Sequence, residues 1–169
     1  MSPDRSRRTA GSGTASPARD AGLRVDVATD GERVPVARER VAEIARGVLR
    51  AEGVRDAMLS VAFVSPRAMA ALNRRHLGHR GATDVLSFAL GRSGGVGPVV
   101  GDVYICPQVA RENARANGVG VREELARLVV HGTLHALGHD HPAGAERLRS
   151  PMWRRQERLV ARLAMGRGP

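Results

Sequence analysis

Four of the six histidines in this 169-residue chain fall within one eleven-residue run, HGTLHALGHDH, from His131 to His141. His131 and His135 are four positions apart, so on a helix their rings share one face and can hold one ion between them. Gly138 follows three residues later. A glycine there can take the left-handed conformation and stop the helix sharply. The returning chain then brings His141 to the same point. Three neutral imidazoles leave a fourth position open, which is the donor set of a catalytic zinc rather than a closed structural one. The expectation is one Zn2+ on His131, His135 and His141. A zinc so held lowers the pKa of its water toward about 7 and makes a hydroxide nucleophile available. His139 is the histidine the spacing leaves out. Asp140 is read either as a cap on the turn or as a hydrogen-bond partner of a ligand imidazole. Glu124 and Arg127 precede His131 on the same helical face, where they face the site or form an ordinary ion pair.

The same histidine spacing occurs in zincins of the HExxHxxGxxH type, where a glutamate after the first histidine serves as general base. Here that position is Gly132. The usual peptidase base is absent, and this argues against a peptidase.

The elements that must position the cluster follow from periodicity and breakers. LRVDVA (Leu23–Ala28) alternates and reads as a strand. Val34–Arg50 has helical spacing and stops before Gly53. MLSVAFV (Met58–Val64) is a strand. Ser65-Pro66 caps and opens a helix through Leu72 and Asn73. HLGHRGA (His76–Ala82) reads as a polar connection. VLSFAL (Val85–Leu90) and the strand within Pro98–Cys106 flank a glycine-rich turn and form a hairpin. Pro107 opens a helix to Asn117, Val121–Leu137 is the helix of the two histidines, and a last helix covers about Glu146–Met165. This order gives an α+β domain: a small mixed four-stranded sheet, about five helices and a zincin-like metal helix. Residues 1–22, rich in Ser, Gly, Arg, Pro and Ala without periodicity, read as a disordered tail. Residues 23–166 form the single domain.

Composition narrows the partners. The net charge is +10, and all 27 basic residues are arginine. Guanidinium groups suit phosphate-bearing partners such as nucleic acid, although a compositional bias explains the same count equally well. Phe63, Phe88, Tyr104 and Trp153 are the only aromatics, which argues against a surface that works mainly by stacking bases. Cys106 is the sole cysteine, so no internal disulfide forms. No apolar run reaches the ~18 residues of a membrane span, and the N-terminal segment lacks the apolar run of a secretory signal.

Three stretches together carry a resemblance: HGTLHALGHDH at 131–141, LNRRHLGHRGATDVLSF at 72–88 with Asn73 and Thr83-Asp84, and Gly101-Asp102 with Val103 and Ile105, followed by Pro107 and Glu124. Spread over roughly residues 57 to 142, they resemble the YbeY family of bacterial endoribonucleases, which act in ribosomal RNA maturation. Met152 and Glu157 of the final helix are in keeping, and residues 1–22 fall outside the resemblance. The resemblance implies zinc on His131, His135 and His141. It implies a single-strand-specific endoribonuclease of the cytoplasm acting in 16S 3′-end processing and ribosome quality control. Its partners would be ribosomal RNA and ribosomal particles, with no membrane and no nucleotide cofactor. One departure stands out. The family usually has an arginine, credited with a part in activity, just before the glycine matching Gly78, and here that position is Leu77. Arg75 and Arg80 are the candidates to contact RNA phosphate from either side of it, with His79 a nearby group for proton transfer. Cys106 stands where serine is common, and His139 where tyrosine is common. The competing readings are a non-catalytic RNA- or ribosome-binding assembly factor with a stabilising zinc, and a metal-dependent hydrolase of another class such as a peptidase.

Overall fold

The computed structural model describes residues 21–92 and 97–164. Most of the expected tail, the centre of the glycine-rich turn and the last two residues of the expected domain lie outside them. The strands are β1 (Leu23–Ala28), β2 (Ala57–Phe63), β3 (Val85–Arg92) and β4 (Val99–Ile105). The helices are α1 (Arg38–Ala51), α2 (Pro66–Leu77), α3 (Pro107–Asn117), α4 (Val121–Ala136) and α5 (Pro151–Leu163), with a 3-10 helix at Gly144–Arg149. The sheet order is β1-β2-β4-β3. β1, β2 and β4 run parallel and β3 pairs antiparallel to β4. The mixed four-stranded sheet and the hairpin are as the sequence predicts.

Alternation along the strands sorts side chains between two layers. Leu59, Val61, Phe63, Val103 and Ile105 face a core built with α1, α4 and α5. Leu86 on β3 and Cys106 just past β4 meet Val64 and Met69 in a smaller cluster, with Phe88 and Tyr104 against it. Helices therefore cover both faces of the sheet.

Three helix boundaries differ from the sequence prediction. α1 starts at Arg38, not Val34. Pro35 holds Val34 away from helical geometry, and Val34 and Val36 reach the core from the segment ahead of the helix. α2 extends past Asn73 to Leu77 and stops at Gly78 with φ 70°. Its last turn carries Arg74, Arg75 and His76 on the exposed side, so apolar periodicity gave no signal there. The final helix is broken. Gly144–Arg149 is a separate 3-10 helix, and α5 starts at Pro151 with the Ser150 hydroxyl accepting from the Trp153 amide at 3.1 Å. Ser-Pro is a helix start, since proline has no amide hydrogen to lose at the first position.

α4 comes very close to the sheet. A Cβ added at Gly132 would sit 2.4 Å from Val103 Cγ1 and 3.0 Å from Ser87 Oγ, and one at Gly101 would sit 2.9 Å from Ala136 Cβ. The residue after His131 is therefore glycine because the helix packs there against β3 and β4. Gly132→Glu, which supplies the zincin glutamate, is expected to lower stability by about 3 kcal/mol through overpacking and a buried charge. Urea denaturation followed by far-UV circular dichroism checks this, and an unchanged midpoint would contradict the close approach.

Candidate metal centre

α4 places His131 and His135 one turn apart, with ring centroids 4.6 Å from each other. The helix ends at Ala136. Gly138 then takes φ 89°, and the His139 amide reaches back to the Leu134 carbonyl. Asp140 Oδ1 accepts from the His141 amide at 2.8 Å, so this carboxylate caps the turn. The His141 ring arrives 5.0 Å from His135 and 5.2 Å from His131. One ligand nitrogen from each of the three lies within 4.8 Å of the other two.

The hydrogen bonds on the far side of two rings aim their lone pairs inward. His141 Nδ1 lies 2.9 Å from the Pro142 carbonyl, which can only accept, so Nε2 is left free. His131 Nδ1 lies 2.7 Å from Gln156 Oε1. The Gln156 amide nitrogen donates to Glu157 at 3.0 Å, which fixes that side chain's orientation and makes its oxygen the acceptor for His131. His135 Nε2 and His141 Nε2 are 3.3 Å apart. Two nitrogens held about 2.0–2.1 Å from one tetrahedral ion are separated by about 3.3–3.4 Å. The donor set therefore fits zinc. His139 is turned away, with Nε2 2.9 Å from Glu52 Oε2, while Arg155 Nε donates to Glu52 Oε1 at 2.6 Å. That bracket ties the turn after α4 to the end of α1 and to α5.

Burial lowers the His131 pKa below 6.5, against the opposing pull of the Gln156 hydrogen bond. Burial, with His131 and His141 adding to it, lowers His135 to about 4. Both shifts favour the neutral ring, the form that binds a metal.

A cavity of about 480 Å³ adjoins the centre, with His131 and Gln156 in its wall. Asp84 and Glu124 also line it. Burial raises the Glu124 carboxyl pKa above its usual 4.5 even though Arg127 pulls the other way. Arg127 binds Glu123, Glu124 and Glu157 at 3.0–3.2 Å, so the pair ahead of His131 is an ion-pair network that also walls the cavity. Asp84 is held rigidly. Its Oδ1 accepts from Thr83 Oγ1 and the Val85 amide, and its Oδ2 from Asn113 Nδ2.

The candidate RNA-contacting residues lie apart from this cavity's wall. Arg75 is exposed on α2, and His79 and Arg80 are exposed in the loop after it. The buried Asn73 donates to the Gly81 carbonyl at 3.0 Å and so anchors that loop. Leu77 is 51% exposed at the end of α2. Sequence reasoning missed Gln156, Glu52 and the Asp84–Asn113 pair as supports of the site. Gln156 sits beside Glu157, which the motif comparison did single out, but nothing local marks a glutamine as a partner of a histidine 25 residues away.

The Endoribonuclease YbeY family profile matches residues 26–164. The chain belongs to the YbeY endoribonuclease family. Relatives described as Endoribonuclease YbeY include one from Anaeromyxobacter sp. strain Fw109-5, 41% identical over 75% of this chain and 67% of its own length. Another, from Thermobifida fusca, is 41% identical over 70% of this chain and 81% of its own. One from Geobacter sulfurreducens is 32% identical over 85% of this chain and 98% of its own. The solution structure of a Thermotoga maritima protein superposes with a TM-score of 0.57 at 25% identity, covering 84% of this chain and 90% of that one. Within the YbeY pattern, the three departures differ in kind, and Cys106 is simply buried. His139 bonds Glu52 and lies outside the cluster of His131, His135 and His141, whereas Leu77 puts an apolar side chain into solvent.

Two outcomes follow from this geometry. Gln156→Leu keeps bulk but removes the acceptor of the His131 ring hydrogen, and it should weaken zinc binding about 10–100-fold in a chelator competition. Unchanged affinity would leave Gln156 with a packing role only. The second concerns metal-free protein. Below 6.5 the unfolded chain takes up protons that folded His131 and His135 refuse, so stability is full above that pH and falls as pH drops through about 4. The urea midpoint should decline over this window, and His135→Gln should flatten the decline. Parallel profiles for the two proteins would contradict the assignment.

Proposed function

We propose that this chain is a zinc-dependent, single-strand-specific endoribonuclease of the cytoplasm that acts on ribosomal RNA and ribosomal particles, in 16S 3′-end maturation and ribosome quality control. The observation that carries the reading is the convergence of three imidazoles whose inward nitrogens fit one tetrahedral ion, in a chain of the YbeY family. When bound, the metal supplies Lewis acidity toward a phosphoryl oxygen and a lowered pKa for water. The chain's own residues do the rest. Gln156 and the Pro142 carbonyl hold the His131 and His141 rings in the binding tautomer. Arg75 and Arg80, exposed and without an ion-pair partner among the described residues, offer positive charge to RNA phosphate. His79 beside them is the candidate to move a proton. Gly132, packed against Val103, offers no carboxylate at the zincin position, which weighs against peptide hydrolysis.

The test incubates zinc-loaded protein with single-stranded ribosomal RNA, the same RNA as a duplex, and casein. Cleavage of the single strand alone is expected, and it should be lost in a folded His131→Ala variant. Arg75→Ala and Arg80→Ala should each weaken RNA binding and reduce the steepness of its salt dependence by about one phosphate contact. Cleavage of casein alone would overturn the nuclease reading. Zinc-dependent stability and RNA binding without cleavage would favour the assembly-factor reading, which the exposed Leu77 supports.

A further inference from the structure

The cavity beside His131 has a chemistry opposite to that of the chain as a whole. Its wall holds three carboxylates, Asp84, Glu124 and Glu157, against Arg127 and Arg147, a formal excess of one negative charge. The chain carries +10. Arg127 is engaged by three glutamates and offers little to an incoming anion. The cavity is thus slightly negative while sharing a wall with a centre that fits a cation.

We propose that this cavity receives the nucleobase of a nucleotide next to the phosphate at the metal centre, with preference for a base that carries an exocyclic amino group. The proposal rests on the RNA reading above and names what selects the substrate within it. The volume of about 480 Å³ lies in the range of small-ligand pockets, about 300–1,000 Å³. Apolar side chains line part of the wall. Trp153 lines the cavity with Arg147 5.6 Å from its ring centroid, which braces one face of the indole. Leu148 lines it too and is nonetheless 51% exposed, an apolar surface left for a ligand to cover.

Polar capacity is left over for the base edge. An ionised carboxylate offers about four lone-pair sites. Thr83, Val85 and Asn113 fill three on Asp84, two on Oδ1 and one on Oδ2, which leaves Oδ2 an acceptor for one further N–H. Its direction is set in advance by those three bonds. The Asn117 side chain, at the end of α3, lines the same cavity and has no hydrogen-bond partner among the described residues. A base reaches such a recess only when unpaired and turned out of its stack. The recess thus gives single-strand preference a physical origin.

The chain's only tryptophan is Trp153, so its fluorescence reports occupancy without any catalytic step. The experiment titrates the full-length, zinc-loaded protein with guanosine, adenosine, cytidine and uridine, and with ribose 5-phosphate. Saturable quenching by the three amino-bearing nucleosides is expected, weaker quenching by uridine, and none by ribose 5-phosphate. Asp84→Asn and Asn117→Leu should each weaken the amino-bearing nucleosides about tenfold. Asn117 is exposed, so its variant tests the site even where Asp84→Asn perturbs folding. Quenching by ribose 5-phosphate that matches the nucleosides, or no saturable quenching at all, would overturn the proposal. Nucleoside quenching in a protein that cuts no RNA would uphold the pocket and count against the nuclease. RNA cleavage with no quenching would do the reverse.

Discussion

Everything around the metal centre serves one constraint: three imidazoles must meet at a point, uncharged, with their lone pairs inward. Charged imidazoles so close would repel one another, and burial penalises the charge on His131 and His135 as well. The structure meets the constraint with bonds on the outer side of the rings. Gln156 takes the proton side of His131, and the Pro142 carbonyl takes that of His141. Both partners act on a nitrogen that never touches the ion, yet they decide which nitrogen does.

Convergence also needs the backbone to be in the right place, and that falls to glycine at two points. Gly138 turns the chain at a positive φ, so His141 can return toward α4. Gly132 lets α4 lie against Val103 and Ser87. The second requirement explains why this site carries no glutamate where zincins have one. The position belongs to the helix–sheet contact, and a long acidic side chain has no room there. The loop that carries His79 and Arg80 lies on another element, anchored by Asn73 donating to the Gly81 carbonyl.

The ligand set was legible because helix pitch and a glycine stop are local properties, readable within eleven residues. The sheet was legible for the same reason, since alternation and a glycine-rich turn fix a hairpin without reference to the rest of the chain. What escaped was tertiary. Glu52 is a helix-end glutamate like many others until folding brings His139 and Arg155 to it from 87 and 103 residues away. Gln156 reads as one more position on an amphipathic helix until it is seen buried beside His131. The break at Ser150-Pro151 was legible in principle. Its apolar periodicity on both sides, with Leu148 before and Trp153 after, masked a stop that the proline itself announces.

Charge resolves what composition alone left ambiguous. An arginine surplus spread evenly over a surface says little about a partner. Here it is uneven. Arg75 and Arg80 stand free in solvent, while Arg127 is locked among Glu123, Glu124 and Glu157. The first arrangement keeps positive charge available to a polyanion. The second spends it internally and leaves the cavity beside His131 slightly negative. A polymer with charged phosphates and neutral, hydrogen-bonding bases is divided along the same line. On the proposed reading, its backbone would meet the outer arginines and the metal centre, and its neutral part would enter the cavity. Whether an arginine is already bound to a carboxylate is a property that residue counts cannot report.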